Sequence, residues 1–425
     1  MTPAIKCLIL LAIVALLFVT EMIPLAMTAI GASVACYALG LVPENQIFLG
    51  LADSTVVLFG GMFVVGAAMF YTGLAQKIGG GVVRMFGKGE NSLMFGIMII
   101  AALMSAVLSN TGTTACLIPV VMGICANAKI SASRELMPLA FAAGLGGTIT
   151  LIGTPPNILA NVALKAAGMP ELQFGFFEYA WIGIPITIAG IVYMMFIGKY
   201  LLPEDSGTLN LEIDEEILEN ETSTQKQIIC GIIMVGVIGS MATGIVPLEI
   251  AAVVGAVIAV LTGCLTEKQA YNSIDWVTIF LFAGMIPVAT AMNTSGAGKL
   301  IAEATVKMLG GDPSPYMVTA VLFGLAVVLT QFMSNTASKA LLCPVGIALS
   351  AQMGASPKAV LMAILIASSC AFASPVGTPP NTLVLGPGGY KFMDYLKAGT
   401  GLVAVCLIVS IIVIPIVWPF FPVSA

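Results

Sequence analysis

The second half of this 425-residue chain repeats landmarks of its first half in the same order. Matching landmarks lie 222 to 225 residues apart, and chance does not produce such constant spacing over four landmarks. The pairs are Pro24-Leu25 with Pro247-Leu248, Asp53 with Asp275, Ser109-Asn110-Thr111 with Ser334-Asn335-Thr336, and Gly153-Thr154-Pro155-Pro156-Asn157 with Gly377-Thr378-Pro379-Pro380-Asn381. An internal repeat is typical of a fold built from similar units. The chain is therefore expected to form the same set of elements twice.

The composition places both units in a membrane. Hydrophobic residues make up 59% of the chain and charged residues 9%, against about 45–50% and about 25% in average soluble domains. A helix needs about 20 apolar residues to cross the hydrocarbon core, and ten regions are candidate spans. They are residues 5–22, 24–42, 54–74, 136–167, 180–200, 228–243, 247–265, 276–292, 358–385 and 398–420. This pattern predicts an all-α polytopic protein with about ten transmembrane helices in a lipid bilayer.

Two further apolar regions, residues 92–124 and 315–351, carry Ser-Asn-Thr near their centres. Their arms have only about 13 to 19 residues, and the shorter arms cannot cross the bilayer. We therefore expect two re-entrant hairpins with polar tips. The spans 136–167 and 358–385 are each interrupted by Gly-Thr-Pro-Pro-Asn and are expected to be broken helices.

Each half then holds five crossings and one hairpin that returns to its own side. An odd number of crossings inserts the second half upside down, which gives the inverted-topology repeats of secondary transporters. The predicted repeats are residues 1–202 and 228–425, joined by an acidic cytoplasmic linker over residues 203–227. Ten basic residues fall on the predicted cytoplasmic side and five outside, which places both termini outside.

Asn110 and Asn335 are the first candidates for chemistry. A lone Asn in a membrane segment most often joins two helices, but here each Asn stands between Ser and Thr at a symmetric hairpin tip. An amide offers a carbonyl oxygen to a cation and two N–H donors to an anion. One residue can therefore face both an ion and a substrate.

The two Gly-Thr-Pro-Pro-Asn segments are the second candidates. Paired prolines remove backbone donors and leave carbonyl oxygens free, and free backbone persists at membrane depth only where it is buried or lines a cavity. Hydroxyl, amide and carbonyl oxygens together suit a hard cation such as Na⁺. The half-helix that follows each break directs its positive dipole end toward the same volume, which favours a carboxylate or another oxyanion.

The paired tips and breaks resemble those of the divalent anion/sodium symporter family, which carries di- and tricarboxylates and, in some members, sulfate. The resemblance implies a homodimer with an elevator-type arrangement of scaffold and transport domains. It implies two sodium sites, one formed by Ser105, Ser109, Asn110 and Gly153, the other by Thr330, Met333 (through its carbonyl), Asn335 and Gly377. It implies a substrate site between the tips formed by Ser109, Asn110, Thr111, Thr154, Ser334, Asn335, Thr336 and Thr378. Ser105 and Thr330 also stand one helical turn before the Ser of each tip, which supports this assignment independently.

Lys339 breaks the symmetry, because its counterpart in the first half is Thr114. A lysine at membrane depth is costly and is a functional candidate, so we include Lys339 among the substrate-binding residues. The alternative is that its side chain extends along the hairpin arm to the membrane surface. Asp53 and Asp275 open apolar runs and are expected to be helix N-caps.

The expected function is sodium-coupled transport of small di- or tricarboxylates, C4-dicarboxylates such as succinate above all, in the cytoplasmic membrane, with sodium as the co-transported ion. The open alternatives are a sodium-independent organic-anion exchanger of the same fold and a sulfate transporter.

An enzyme is not expected, because the sequence contains no histidine and no intramembrane pair of acids. No nucleic-acid partner is expected. Two inverted binding motifs also favour alternating access over a channel.

Overall fold

The computed structural model describes residues 1–86, 89–203, 223–308 and 314–421, which form an all-helical protein. Most of the predicted linker, residues 203–227, lies outside these ranges. The helices are α1 (Pro3–Thr20), α2 (Leu25–Ala38), α3 (Ser54–Tyr71), α4 (Leu74–Phe86), α5 (Glu90–Ser105), α6 (Asn110–Ala128), α7 (Leu136–Gly146), α8 (Leu159–Ala166), α9 (Ala180–Phe196), α10 (Thr224–Thr243), α11 (Leu248–Leu261), α12 (Glu267–Ser273), α13 (Trp276–Thr294), α14 (Ala297–Met308), α15 (Pro315–Thr330), α16 (Asn335–Gln352), α17 (Pro357–Ala367), α18 (Pro379–Leu385) and α19 (Phe392–Val417).

Six helical segments in the described ranges are long and apolar enough to cross a membrane. They are Pro3–Thr20, Glu44–Tyr71, Asn110–Ala128, Thr224–Thr243, Trp276–Thr294 and Phe392–Val417. Six shorter apolar helices have 10–17 residues: Leu25–Ala38, Glu90–Ser105, Ala180–Phe196, Leu248–Leu261, Pro315–Thr330 and Pro357–Ala367. The predicted class, an all-α polytopic membrane protein, is confirmed.

The helices pack as two groups, and each group draws on both halves of the chain. In the first group α2 packs along α13 and α3 packs along α11. A Cβ atom on Gly61 would collide with Ala252, and one on Gly284 would collide with Ala29. The two glycines, like the two alanines, lie 223 residues apart. The repeat therefore produces two equivalent close helix contacts, each joining one half to the other.

The second group consists of α5 to α9 and α15 to α19. Its centre is α7, all 11 residues of which are buried, together with α17. A helix that is apolar on every side is typical of such a central position. The two halves interlock here as well, because α16 packs against α8 and α18 packs against α6. A hydrogen bond from the Met137 amide to the Tyr390 hydroxyl (2.8 Å) adds a polar link between the halves.

Both predicted broken helices are interrupted where the sequence carries its paired prolines. The first stops at Gly146 and resumes through a 3₁₀ turn, Pro155–Ile158, into α8. The second stops at Ala367 and resumes at Pro379. The prolines occupy the first positions of the new turn, where a missing N–H removes no helical hydrogen bond. The sequence thus ends one helix and starts the next.

Side-chain caps fix where the helices near the tips begin. Ser109 and Ser334 are the N-caps of α6 and α16, and Asp53 and Asp275 are the N-caps of α3 and α13. The predicted capping role of the two aspartates is confirmed. Asp53 also pairs with Lys165 across 2.7 Å, which ties α3 of the first group to α8 of the second.

Candidate functional site

The first tip is the turn between α5 and α6. Ser105 ends α5 and is fully buried, and its hydroxyl oxygen lies 2.6 Å from the side-chain amide of Asn110. Ser109 Oγ accepts from the Gly112 amide across 3.1 Å. The serine cap therefore fixes the start of α6, while Asn110 turns back toward the end of α5.

The Asn110 amide can adopt two orientations, and each has a chemical meaning. With Nδ2 turned inward, the amide donates to Ser105 Oγ (2.6 Å), Gly153 O (3.2 Å) and Ala143 O (3.3 Å). With Oδ1 turned inward, four oxygen atoms face one small volume: Asn110 Oδ1, Ser105 Oγ and the carbonyl oxygens of Ala143 and Gly153. In the first orientation the amide N–H groups bond protein oxygens, and in the second the amide adds its own oxygen to the ligands that a hard cation requires.

The second tip, between α15 and α16, repeats this arrangement. Thr330 is fully buried, and its hydroxyl lies 2.7 Å from Asn335 Oδ1 and 2.8 Å from the Ser368 carbonyl. Met333 is buried beside the tip, and Ser334 Oγ accepts from the Ala337 amide across 3.2 Å. At both tips, therefore, a hydroxyl at the end of the first helix, the Asn side chain at the start of the second helix and a backbone carbonyl lie close together.

The last Asn of each break holds its own loop closed. Asn157 Nδ2 donates to the carbonyls of Gly147 and Thr150, both at 3.0 Å. The corresponding donor of Asn381 bonds the carbonyls at positions 371 and 374, at 2.8 and 2.9 Å. A tyrosine hydroxyl bonds the backbone carbonyl of each Asn, from Tyr179 in the first half and Tyr395 in the second. The two breaks are therefore folded in the same way.

Glycines let the breaks approach the tips. A Cβ atom on Gly147 would collide with the Asn110 amide, and one on Gly377 would lie 2.7 Å from the Thr330 carbonyl. A Cβ atom on Gly153 would lie 2.8 Å from the Gly147 carbonyl. A larger side chain at Gly147 or Gly377 would push the break away from its tip, and one at Gly153 would distort the break itself.

A cavity of about 400 Å³ opens beside the first tip. Its walls include Ser109 and Gly112 from the tip, Pro155 from the break, and aromatic residues of α3 such as Phe63 and Phe70. The cavity therefore lies between the two helix groups and reaches the residues expected to bind substrate. Asn272 and Ser273 at the end of α12 also line it.

Comparison with known proteins identifies the family of this chain. The family model described as "CitMHS: Citrate transporter" matches residues 15–342 and 332–423. The chain belongs to this family. An uncharacterised transporter of Haemophilus influenzae is 31% identical over 94% of this chain and 89% of its own length. The sodium-dependent dicarboxylate transporter SdcS of Staphylococcus aureus is 26% identical over 95% of this chain and 84% of its own length.

These matches confirm the resemblance to the divalent anion/sodium symporter family. The solved structure of the YdaH transporter of Alcanivorax borkumensis has the same fold, with a TM-score of 0.64 and coverage of 99% of this chain and 100% of that chain. Its sequence identity is only 18%, so the likeness concerns the fold alone. A citrate transporter family member of this architecture is a multi-pass membrane protein and not an enzyme.

In this family member, the predicted site residues lie at the two tips and breaks. Ser109, Asn110, Ser334, Asn335 and Thr336 are partly buried, Thr111 is exposed, and Thr154 and Thr378 are buried just before the paired prolines. Their roles toward sodium and anion stay predictions. Lys339 is entirely buried, and its ammonium donates to Asn157 Oδ1 (3.0 Å) and Ser369 Oγ (2.8 Å). Its side chain does not extend to a surface in this conformation.

Sequence reasoning missed several contributors. The backbone carbonyls of Ala143 and Ser368 face the tips from the ends of the first half-helices, and a carbonyl has no signature in the sequence. Gln331 also went unnoticed, although it bonds the Cys370 carbonyl and the Ala373 amide, at 3.0 and 3.1 Å. Asn157 and Asn381 are part of the repeated motif, and their occurrence at the same place in both halves is the signal that could have predicted their structural role.

Proposed function

We propose that this protein couples sodium entry to uptake of small di- or tricarboxylate anions, with C4-dicarboxylates such as succinate as the first candidates. The observation that carries the proposal is the duplicated oxygen cluster: Ser105 with Asn110 at one tip and Thr330 with Asn335 at the other. Relatives named as sodium-dependent dicarboxylate transporters support both the ion and the anion class.

Each tip supplies what a sodium ion needs. Na⁺ is a hard cation that prefers several oxygen ligands, and the clusters combine hydroxyl, amide and carbonyl oxygens without a formal negative charge. A site of neutral oxygens carries the full charge of the bound ion. Two such ions beside the tips would attract a dianion and lower the cost of holding it at membrane depth.

The anion would lie between the tips. The first turns of α6 and α16 start at Ser109 and Ser334, and unpaired N–H groups at a helix start attract carboxylates. The hydroxyls of Thr111, Thr336, Thr154 and Thr378, together with the Asn amides, would add donors. The cavity beside Ser109 gives a route to this position from one side.

The two helix groups suit an elevator-type movement. The group that contains both tips and both breaks would be the transport domain, and the group around α2, α3, α11 and α13 would be the scaffold. Both tips would travel together, since hairpins and breaks of the two halves interlock in one group. We place the protein in the cytoplasmic membrane as a homodimer, with the hairpins re-entrant and the repeats inverted.

The test is uptake into proteoliposomes of labelled succinate, citrate and sulfate, each with external Na⁺ or choline. We expect succinate or citrate to accumulate only with Na⁺. Calorimetry should also show tighter succinate binding as Na⁺ replaces choline, because binding linkage is reciprocal. Equal affinity and uptake in both salts would contradict sodium coupling.

A sodium-independent exchanger is the second candidate function, and one observation favours it. Lys339 places a basic group at membrane depth, and a fixed positive charge reduces the need for a mobile cation. An exchanger would take up labelled succinate only when the vesicles contain unlabelled anion, with or without Na⁺. Sulfate uptake in the same panel would identify the third alternative.

A further inference from the structure

Lys339 is a buried basic residue with polar but uncharged partners. It lies four residues after Asn335 on α16 and is 0% exposed. Its ammonium donates to Asn157 Oδ1 and Ser369 Oγ. Within residues 1–86, 89–203, 223–308 and 314–421, the ion pairs join other residues and leave Lys339 without a carboxylate. Such burial carries a large cost, which points to a function.

The ammonium joins three pieces of the site. Lys339 belongs to the second hairpin, Asn157 to the first break, and Ser369 to the segment that follows α17. The two oxygens are an amide carbonyl and a hydroxyl, the same kinds of ligand that converge at the tips. Lys339 therefore fills a position that has the chemistry of a cation site.

The repeat indicates that the break does not need this ammonium in order to fold. Asn381 makes the same two amide bonds as Asn157, yet among the described residues its Oδ1 has no hydrogen-bond partner. The residue that corresponds to Lys339 is Thr114, whose hydroxyl bonds the Asn110 carbonyl of its own helix (2.9 Å). The ammonium is thus an addition to a loop that closes without one.

Lys339 is near two residues that are expected to bind the anion, Asn335 on its own helix and Thr154 in the first break. It follows Asn335 by four residues, about 6 Å along the helix axis, and Asn157 follows Thr154 by three residues. At this range a unit charge in a protein interior acts strongly on an anion. Its effect should rise with the charge of that anion.

We propose that Lys339 is a tethered cation, which fills the position between Asn157 Oδ1 and Ser369 Oγ and supplies one of the positive charges that balance the transported anion. The inference rests on the proposed function and deepens it. It assigns Lys339 a preference for the more highly charged carboxylates.

The test compares wild type with Lys339→Met, which keeps the unbranched shape and removes the charge. Calorimetry in NaCl would use succinate and citrate, at a pH where these are a dianion and a trianion. Coulomb energy is proportional to charge, so a loss of about tenfold for succinate should become about thirtyfold for citrate. A role in packing alone would weaken both anions equally, and that result would overturn the proposal.

Lys339→Ala with chemical rescue keeps the proposal testable if the Met variant misfolds. Ethylammonium fits the space left by the shortened side chain and should restore citrate binding, whereas tetramethylammonium, which cannot donate a hydrogen bond, should not. No rescue in a monodisperse Ala variant would contradict the tethered cation. Wild-type protein that binds neither anion would remove the proposed function itself. Normal wild-type binding with an unchanged Met variant would remove only the inference about Lys339.

Discussion

The two Gly-Thr-Pro-Pro-Asn breaks have the same sequence but different supports. The first receives Lys339 from the opposite half of the chain, whereas the second receives Gln331 from the hairpin of its own half. The amide donors of Asn157 and Asn381 make equivalent bonds in both. The loop shape therefore comes from the repeated motif, and the side chains around it have diverged. The two halves share the backbone of the break, and they differ in the side chain that contacts it, Lys339 at the first break and Gln331 at the second.

Asn110→Ala and Asn335→Ala test whether the two tips are equivalent. Each change removes an amide proposed to face both ion and anion, and an unmet partner costs about 1–3 kcal/mol or more. We expect each variant to lose sodium-driven uptake while it remains folded. Asn45→Ala, an exposed amide between α2 and α3, is the matched control and should transport normally. Normal uptake by either tip variant would refute that tip as a site.

Gly147→Ala separates the two ion clusters. Its new Cβ atom would collide with the Asn110 amide, whereas the corresponding residue of the second half is already Ala371. We expect a lower apparent sodium affinity, measured as the Na⁺ dependence of succinate uptake. Ala371→Gly is the reciprocal control and should have a small effect. Equal effects of the two changes would mean that the Gly147/Ala371 difference does not distinguish the two clusters.

Asn157→Ala and Asn381→Ala compare the supports directly. Both free two loop carbonyls, but only Asn157→Ala also takes a partner from the buried ammonium of Lys339. Leaving a buried polar group without its partner costs about 1–3 kcal/mol, and more when the group is charged. Thermal unfolding in detergent should therefore rank Asn157→Ala as the less stable variant. The reverse order would mean that Lys339 does not depend on Asn157.

Glu135 should make a smaller, pH-dependent contribution to stability that the second half lacks. Just before α7, it is 0% exposed, and both of its carboxyl oxygens lack partners among the described residues. Burial and the nearby Glu90, opposed by Arg134, raise the pKa of Glu135 from 4.5 to about 8. Tyr390 and Cys125 also lie close enough to feel its charge. The corresponding residue in the second half is Ala359.

The sign follows from where the proton is held. The folded protein keeps the Glu135 proton up to about pH 8, whereas the unfolded chain releases it near the ordinary value of 4.5. The stabilisation is full below the lower value and is lost as pH rises toward the higher one. Glu135→Gln should remove this dependence, measured as melting temperature against pH. Parallel curves for the variant and wild type would contradict the buried proton.

The sequence predicts the structure where local residue types or the internal repeat determine it. The interruptions at Pro155 and Pro379 and the caps at Asp53 and Asp275 follow from local rules that do not depend on distant residues. The repeat also located Asn110 and Asn335, because a duplicated polar triplet in an apolar region has few explanations.

The partners across the two halves could not be predicted. Lys339 stood out as a charge at membrane depth, but its bond to Asn157 spans 182 residues and depends on how α16 packs against α8. The burial of Glu135 could not be predicted either, since an acid next to Arg134 in the sequence suggests an ion pair, and Arg134 pairs with Glu90 instead. Such contacts arise from tertiary packing, which neither residue type nor spacing encodes.

The bonds between the halves also set an order of events during synthesis. Asn157 lacks its ammonium until Lys339 has been made, 182 residues later, and the Met137 amide awaits Tyr390, 253 residues later. At a translation rate of about 5–20 residues per second, the first half lies in the membrane for roughly 10–50 s with these groups unsatisfied. Its broken helix is therefore a docking place for a segment still on the ribosome, and the carrier is complete only when its last third arrives.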